Sequence, residues 1–169
     1  MIRIATLDDA DALAVVHIDT WQHAYRGIVP GEYLDQLNVV ARADRWREIL
    51  RTSDSVVTTL VDVDATGRVD GFASVGPGRD DGQSSGDAWE IYGLYVAPQR
   101  QGTGIGKNLL RTAMTYVPAV TTRVTLWVLT DNMKARQFYE MQGFRSDDLT
   151  QDIEIGGVAL SESRYVFSR

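Results

Sequence analysis

Cysteine is absent from this chain of 169 residues. Its absence excludes disulfide bonds, thiolate metal ligands and a cysteine nucleophile, and it is typical of a cytoplasmic protein. No apolar run approaches the roughly 18 residues that a membrane span requires, so we expect no membrane partner. The first residues lead directly into Asp8 and Asp9 without an apolar segment, and we therefore expect no signal peptide.

Positive charge is also scarce. Seventeen lysines and arginines stand against 23 aspartates and glutamates, which gives a formal net charge of −6 and a pI of about 4.8. Such a surface repels phosphate backbones, so no nucleic-acid partner is expected, and it slightly favours a cationic or neutral acceptor. The two histidines, His17 and His23, have no acidic or cysteine partner at metal-ligand spacing. We interpret them as packing or surface residues and expect no metal.

The hydrophobic pattern changes period several times along the chain. It alternates as a strand does at Ile2–Ile4 and then follows helical spacing as far as Leu50. Later strands are predicted at residues 56–61, 69–75, 89–96, 122–129 and 159–167, with another opening at Phe144, and helices near 104–117 and 131–142. This order predicts a mixed α/β sheet with helices on both faces. Residues 76–86 have the composition of a mobile loop.

A glycine-rich segment, Q-G-T-G-I-G at residues 101–106, lies between a predicted strand and a predicted helix. Glycines there let the backbone approach a ligand, and free N–H groups at a helix start favour an anion such as a diphosphate. A Walker A loop would need glycine at Gln101 and Ser or Thr at Asn108, and a Rossmann fingerprint would need glycine at Lys107 or Leu109. Both fail, which leaves the pattern Q-x-x-G-x-G, with an unliganded turn as its alternative.

Two sequence blocks carry a family resemblance. In the first, Y-V-A-P at residues 95–98 precedes the glycine segment and the pair L-L at 109–110; in the second, residues 132–144 contain N-x-x-A-x-x-F-Y-x-x-x-G-F. The spacing between the blocks leaves room for one helix and one strand. Together they resemble the acetyl-CoA motifs of the GNAT superfamily of N-acetyltransferases. The resemblance covers residues 89–144 in motif detail and the whole chain in topology.

The resemblance implies a fold and a cofactor. It implies one N-acetyltransferase domain over residues 1–169, with a twisted mixed sheet of six to seven strands whose parallel strands 89–96 and 122–129 splay apart around acetyl-CoA. Coenzyme A would be the product, and a homodimer is an expected assembly because many members are dimers. The cofactor-binding residues it implies are Leu94, Tyr95, Val96, Gln101, Gly102, Thr103, Gly104, Ile105, Gly106, Lys107, Asn132 and Tyr139.

Acetyl transfer to an amine requires loss of the ammonium proton, a donor for the developing oxyanion and stabilisation of the departing thiolate. Glu90 is the predicted base, because it lies six residues before Val96, where histone-acetylating members carry a glutamate. Strand alternation would place Glu90 on one face with Tyr92, Leu94 and Val96. The alternatives are a solvated carboxylate, a substrate contact or a water chain. The backbone N–H of Val96 or its neighbour is the expected oxyanion donor.

Tyr139 matches the tyrosine of the family's F-Y pair and is the predicted acid, with a core aromatic residue as the alternative. Asn132 is expected to hydrogen-bond the cofactor or to cap a helix beside Asp131. Direct transfer is expected, because no cysteine can hold the acetyl group. The protein could instead be a non-catalytic sensor that binds acyl-CoA. Retention of both Glu90 and Tyr139 counts against this interpretation.

The acceptor side is predicted from aromatic residues. Residues 20–30 resemble the W-x-x-A-Y-R-G stretch of one bacterial group of these enzymes, in which this region walls the acceptor. Trp21 and Tyr25 of this stretch, with Tyr33 and Tyr92, are predicted substrate contacts, although packing is the favoured explanation for each residue singly. The expected acceptor is a primary amine of a small molecule or amino-acid derivative, since the long loop beside the cleft favours a lidded site. A protein or peptide acceptor, at an N-terminus or lysine, is the alternative.

Overall fold

A computed structural model describes residues 1–52, 56–79 and 88–168. The strands in these ranges are β1 (Ile2–Ile4), β2 (Thr58–Val63), β3 (Val69–Pro77), β4 (Ala88–Val96), β5 (Arg123–Leu129), β6 (Arg145–Ile155) and β7 (Val158–Ser168). The helices are α1 (Ala10–Ala24), α2 (Gly31–Asp35), α3 (Val39–Arg51), α4 (Ile105–Thr115) and α5 (Met133–Met141). The predicted mixed α/β order is confirmed. Residues 80–86 of the predicted loop lie outside the described residues.

One mixed sheet organises these elements, with the strand order β1-β2-β3-β4-β5-β7-β6. All neighbours are antiparallel except β4 and β5, which run parallel. That pair is short, since it includes only three positions and ends at Glu90 opposite Thr125. Beyond it, β4 stays paired with β3 and β5 stays paired with β7, so a gap opens between the two central strands. The predicted splay is confirmed.

Strand β4 contains an irregularity close to the start of this gap. Ser74 of β3 pairs with Gly93, whereas the next residue, Val75, pairs with Ile91. Tyr92 therefore has no partner on β3, which is the two-against-one arrangement of a β-bulge. An extra residue in one strand reverses the alternation of its side chains from that point onward.

The bulge changes which side chains of β4 share a face. Ile91, Leu94 and Val96 all contact the core cluster beneath α4, whereas Tyr95 packs in the cluster beneath α1 and α3. The predicted alternation, which placed Glu90 on one face with Leu94 and Val96, is therefore wrong. Glu90 precedes the bulge and faces away from Ile91, so it lies on the same side as Tyr95.

The helices cover both faces of the sheet. Leu109 and Leu110 of α4 are buried on one face, and Trp46 of α3 packs against Phe72 of β3 on the other. Each such buried side chain contributes about 1.5–3 kcal/mol relative to exposure, so the two clusters fix the sheet from both sides. In the described ranges, none of the helices combines the length and apolarity needed to cross a bilayer.

The last two strands extend past the end of β5. Residues 150–161 of β6 and β7, here called the hairpin arm, lie beyond the part of β7 that pairs with β5 from Glu162 onward. Ile153 and Ile155 of the arm join a third apolar cluster, built on Leu34 and Leu129. The arm is thereby attached to the α1–α2 side of the molecule.

Candidate active site

A cleft of about 910 Å³ lies where β4 and β5 part. Its walls come from β4, β5, the start of α4, helix α5, the end of α1 and the hairpin arm. The structure brings most of the predicted site residues together on these walls. Those lining the cleft are Trp21, Tyr25, Glu90, Tyr92, Leu94, Tyr95, Val96, Gln101, Gly102, Gly104, Gly106, Lys107, Asn132 and Tyr139.

Three predicted residues do not line the cleft. The Thr103 hydroxyl donates a hydrogen bond to the Arg100 carbonyl at 2.7 Å, which holds the glycine turn. The Ile105 side chain is buried in the core beneath α4. Tyr33 packs in the third cluster against the turn at Gly156, so its ring supports the hairpin arm from outside the cleft.

The glycine segment shapes the start of α4. Gly102 and Gly104 have φ values of 75° and 88°, a left-handed conformation that side-chain-bearing residues rarely adopt. Gly104 is the N-cap, and none of the side chains that the structure describes caps the helix. The first turn contains no acidic residue and carries Lys107, so its free N–H groups and positive helix dipole face the cleft together. These features fit a diphosphate.

The edge of β4 offers main-chain groups to the gap. From Ile91 to Val96 the strand has no β5 partner, and alternate N–H and C=O groups of a strand point to each side. The Val96 carbonyl accepts hydrogen bonds from Thr20 Oγ1 and Gln101 Nε2, both at 3.2 Å. Gln101 therefore ties the end of β4 to the glycine turn. The free edge before it fits a chain that carries amide groups.

Glu90 is buried, with only 1% of its surface exposed, so the solvated alternative is wrong. Arg79 holds both of its carboxylate oxygens. The Arg79 backbone N–H and Nε donate to Oε2 at 3.1 Å each, and Nη2 donates to Oε1. The guanidinium carbon of Arg79 also lies 4.2 Å from the centre of the Tyr92 ring. The guanidinium therefore occupies the position at the carboxylate that another cation would take.

Tyr139 presents a protonated phenol to the cleft. Burial, and then the neighbouring Tyr95, raise the pKa of Tyr139 well above its usual value, so the hydroxyl keeps its proton at neutral pH. Among the described residues, none hydrogen-bonds this hydroxyl. Asn132 begins α5, where its Oδ1 accepts from the Ala135 N–H at 3.2 Å. The capping role therefore belongs to Asn132 and not to Asp131, and it leaves the Asn132 amide nitrogen for other contacts.

The two histidines differ in environment. His17 lies among four aromatic rings and stacks on Tyr95 at 4.7 Å, and neither of its nitrogens has a hydrogen-bond partner in the described ranges. Burial, with a smaller effect of Arg42, lowers the pKa of His17 to about 3. The packing interpretation is confirmed for His17. His23 is exposed at the rim of the cleft.

Sequence reasoning missed several residues on the cleft wall. Arg79 sits in a loop without periodicity, so nothing local marked it as the partner of Glu90. Trp127 of β5 and Glu162 of β7 also line the cleft. Only the alternation of side chains along a strand could have indicated these two residues in the sequence. In β7, for example, alternation places Glu162 on the same side as the apolar Leu160.

Comparisons with known proteins agree with this geometry. A sequence model described as the acetyltransferase (GNAT) family matches residues 18–144. The uncharacterized N-acetyltransferase YuaI of Bacillus subtilis (strain 168) is 33% identical over 163 residues, which cover 95% of this chain and 88% of that protein. The chain also superimposes on the PaiA N-acetyltransferase of Thermoplasma acidophilum in complex with coenzyme A, with a TM-score of 0.72, 24% identity and 98% of each chain covered. For the ribosomal-protein-alanine N-acetyltransferase of Brucella melitensis the TM-score is 0.75 at 23% identity, over 100% and 99% of the two chains.

Proposed function

The chain belongs to the acetyltransferase (GNAT) family, and on this premise we propose that it transfers an acetyl group from acetyl-CoA directly to a primary amine of a small molecule or amino-acid derivative. The observation that carries the proposal is the meeting of two features at one place. The uncapped, cation-bearing start of α4 lies beside the gap between β4 and β5. We place the reaction in the cytoplasm, in keeping with a cysteine-free composition.

The main chain would hold most of the cofactor. The N–H groups of residues 102–107, with the Lys107 ammonium, would bind the diphosphate. The free edge of β4 from Leu94 to Val96 would bind the amide-bearing arm, and the Asn132 amide nitrogen is available for a further hydrogen bond. When bound, acetyl-CoA supplies the acetyl group as an activated thioester.

Glu90 is the proposed proton acceptor for the amine. An acceptor arrives mostly as an ammonium, whose proton must leave before the nitrogen can attack. An ammonium that replaces the Arg79 guanidinium would face both Glu90 oxygens. The Arg79 side chain is 62% exposed, so solvent can receive it when it is displaced. The exchange conserves charge in the cleft, because one cation leaves the carboxylate as another arrives.

Tyr139 is the proposed proton donor at the opposite end of the reaction. As the new N–C bond forms and the C–S bond breaks, the sulfur becomes a thiolate and needs a proton or a hydrogen bond. The raised pKa of Tyr139 ensures that its hydroxyl carries a proton at neutral pH. Solvent would return the proton to Tyr139 afterwards.

The test is release of free thiol from acetyl-CoA across a panel of aminoglycosides, polyamines, amino acids and short peptides. We expect turnover with a small amine. Turnover with peptides alone would transfer the assignment to a protein acetyltransferase. Saturable binding of acetyl-CoA without thiol release for any amine would favour the sensor. Calorimetry that found no binding of any coenzyme A species at neutral pH would overturn the proposal.

A further inference from the structure

The cleft contains a second carboxylate on its acceptor side, and it differs from Glu90 because none of the described residues supplies it with a cationic partner. We propose that Glu162 is the residue that binds the ammonium group of the acceptor and so selects cationic amines. This inference rests on the proposed function, because it assigns the binding step that precedes proton removal.

The position of Glu162 follows from the pairing of β7 with β5. Glu162 lies directly opposite Leu129, and residues that face each other across an antiparallel pair project from the same side of the sheet. Leu129 is buried in the cluster that Trp21 and Tyr25 contact. Glu162 therefore stands on the α1 side, at the base of the hairpin arm, and it lines the cleft there.

The immediate surroundings of Glu162 are polar but not cationic. The Gln151 amide nitrogen donates to its Oε2 at 2.9 Å. In the portion of the chain that the structure describes, no lysine or arginine lies within 4.0 Å of its carboxylate, although Arg26 and Arg79 line the same cleft. A half-buried carboxylate with only a neutral donor keeps the capacity to accept from an ammonium.

The field of Glu162 reaches the aromatic groups around the reaction space. Burial raises the pKa of Tyr25, and the charges of Tyr95, Tyr139 and Glu162 raise it further. Burial also raises the pKa of Tyr95, and Glu162 adds a smaller effect in the same direction. The carboxylate thus lies within electrostatic range of two phenols that line the cleft, Tyr25 at the end of α1 and Tyr95 of β4.

Aromatic faces complete this side of the cleft. The Trp21 and Tyr25 rings meet edge to face, with centroids 5.0 Å apart. Such rings attract a cation and cover the carbon atoms next to its nitrogen. Glu162 would bind the ammonium against these rings, and Glu90 would then take its proton. The two carboxylates would therefore have separate roles, ammonium binding for Glu162 and proton acceptance for Glu90, because Arg79 occupies Glu90 until the acceptor arrives.

The experiment compares two probes of nearly equal size on the protein saturated with coenzyme A. Benzylamine is a cation at pH 7, and benzyl alcohol is its neutral counterpart. We expect the wild-type protein to bind benzylamine about tenfold more tightly, a difference of about 1.4 kcal/mol. In Glu162→Gln the preference should fall below about twofold, since the isosteric amide keeps the shape and removes the charge. Calorimetric titration measures all four constants.

Two further variants control this result. Glu154→Gln removes the same charge from the hairpin arm at an exposed position outside the cleft, and it should keep the full preference. Glu162→Asp, which retains the charge, should restore part of it. An unchanged preference in Glu162→Gln, or no preference in the wild-type protein, would overturn the inference. Failure of the protein to bind coenzyme A before either probe is added would instead overturn the proposed function.

Discussion

The two halves of the cleft are built from different parts of the chain. On the cofactor side, six consecutive residues, 101–106, supply a left-handed turn and an uncapped helix start, so the main chain forms the site. On the acceptor side, side chains form the site, and they come from separate elements: Trp21 from α1, Arg79 from the loop after β3, Glu90 from β4 and Glu162 from β7. Recognition by one continuous segment tolerates little backbone change, whereas recognition by scattered side chains lets acceptor preference vary without altering the fold.

The largest expected effect lies at the boundary between the halves. Tyr139→Phe removes the hydroxyl but keeps the buried ring, so kcat should fall by about 100-fold or more while the coenzyme A Kd changes less than about twofold. Steady-state kinetics and calorimetry measure the two quantities. Tyr116→Phe, at an exposed tyrosine outside the cleft, should leave both unchanged. Equal turnover in Tyr139→Phe would remove this residue from the acid role.

Glu90→Gln tests the acceptor half alone. At neutral pH we expect kcat/KM to fall by about 10-fold to 100-fold, because the ammonium loses its proton acceptor. Raising the pH should restore much of the loss, since free amine then forms without help. A pH profile from 6 to 10 measures this recovery. A uniform loss across the range would show that Glu90 only binds the acceptor.

Gly104→Ala tests the cofactor half alone. Alanine at a φ of 88° strains the N-cap of α4, and relaxing that strain would turn the N–H groups away from the cleft. The coenzyme A Kd should rise about tenfold, with a stability loss of about 1–2 kcal/mol. Gly157→Ala imposes similar strain at a φ of 78° in the hairpin turn, so it should lose stability but keep its affinity. Equal affinity losses in the two variants would contradict a local role for Gly104.

The contrast between one continuous segment and scattered side chains also explains how much of the fold and of the site could be predicted from the sequence. The helix and strand order follows from local periods and the glycine turn from one short motif, whereas the splayed strands were implied by the family resemblance. The bulge at Tyr92 could not be predicted, because the register between β3 and β4 depends on packing across the sheet. The Arg79–Glu90 pair was missed for a similar reason. Its members are eleven residues apart, and one lies in a loop where no pattern constrains the direction of a side chain.

The smallest expected effect is on the pH dependence of stability, and it comes from His17, which lies beneath the acceptor half of the cleft. His17 stacks on Tyr95, and its pKa falls from 6.5 to about 3 because the site is buried. Below pH 6.5 the unfolded chain therefore binds a proton that the folded chain refuses, and stability decreases as the pH falls towards 3. The slope approaches about 1.4 kcal/mol per pH unit.

His17→Phe keeps an aromatic ring in this position and removes the titrating group. Chemical denaturation between pH 7 and 4 should therefore show a smaller loss of unfolding free energy than in the wild-type protein. His23→Gln is the matched control, since it removes a histidine from an exposed position outside the aromatic cluster. Equal slopes in all three proteins would mean that His17 gains a proton without unfolding. The four-ring cluster would then open locally, and the wall beneath Trp21 would be a mobile part of the acceptor half rather than a fixed one.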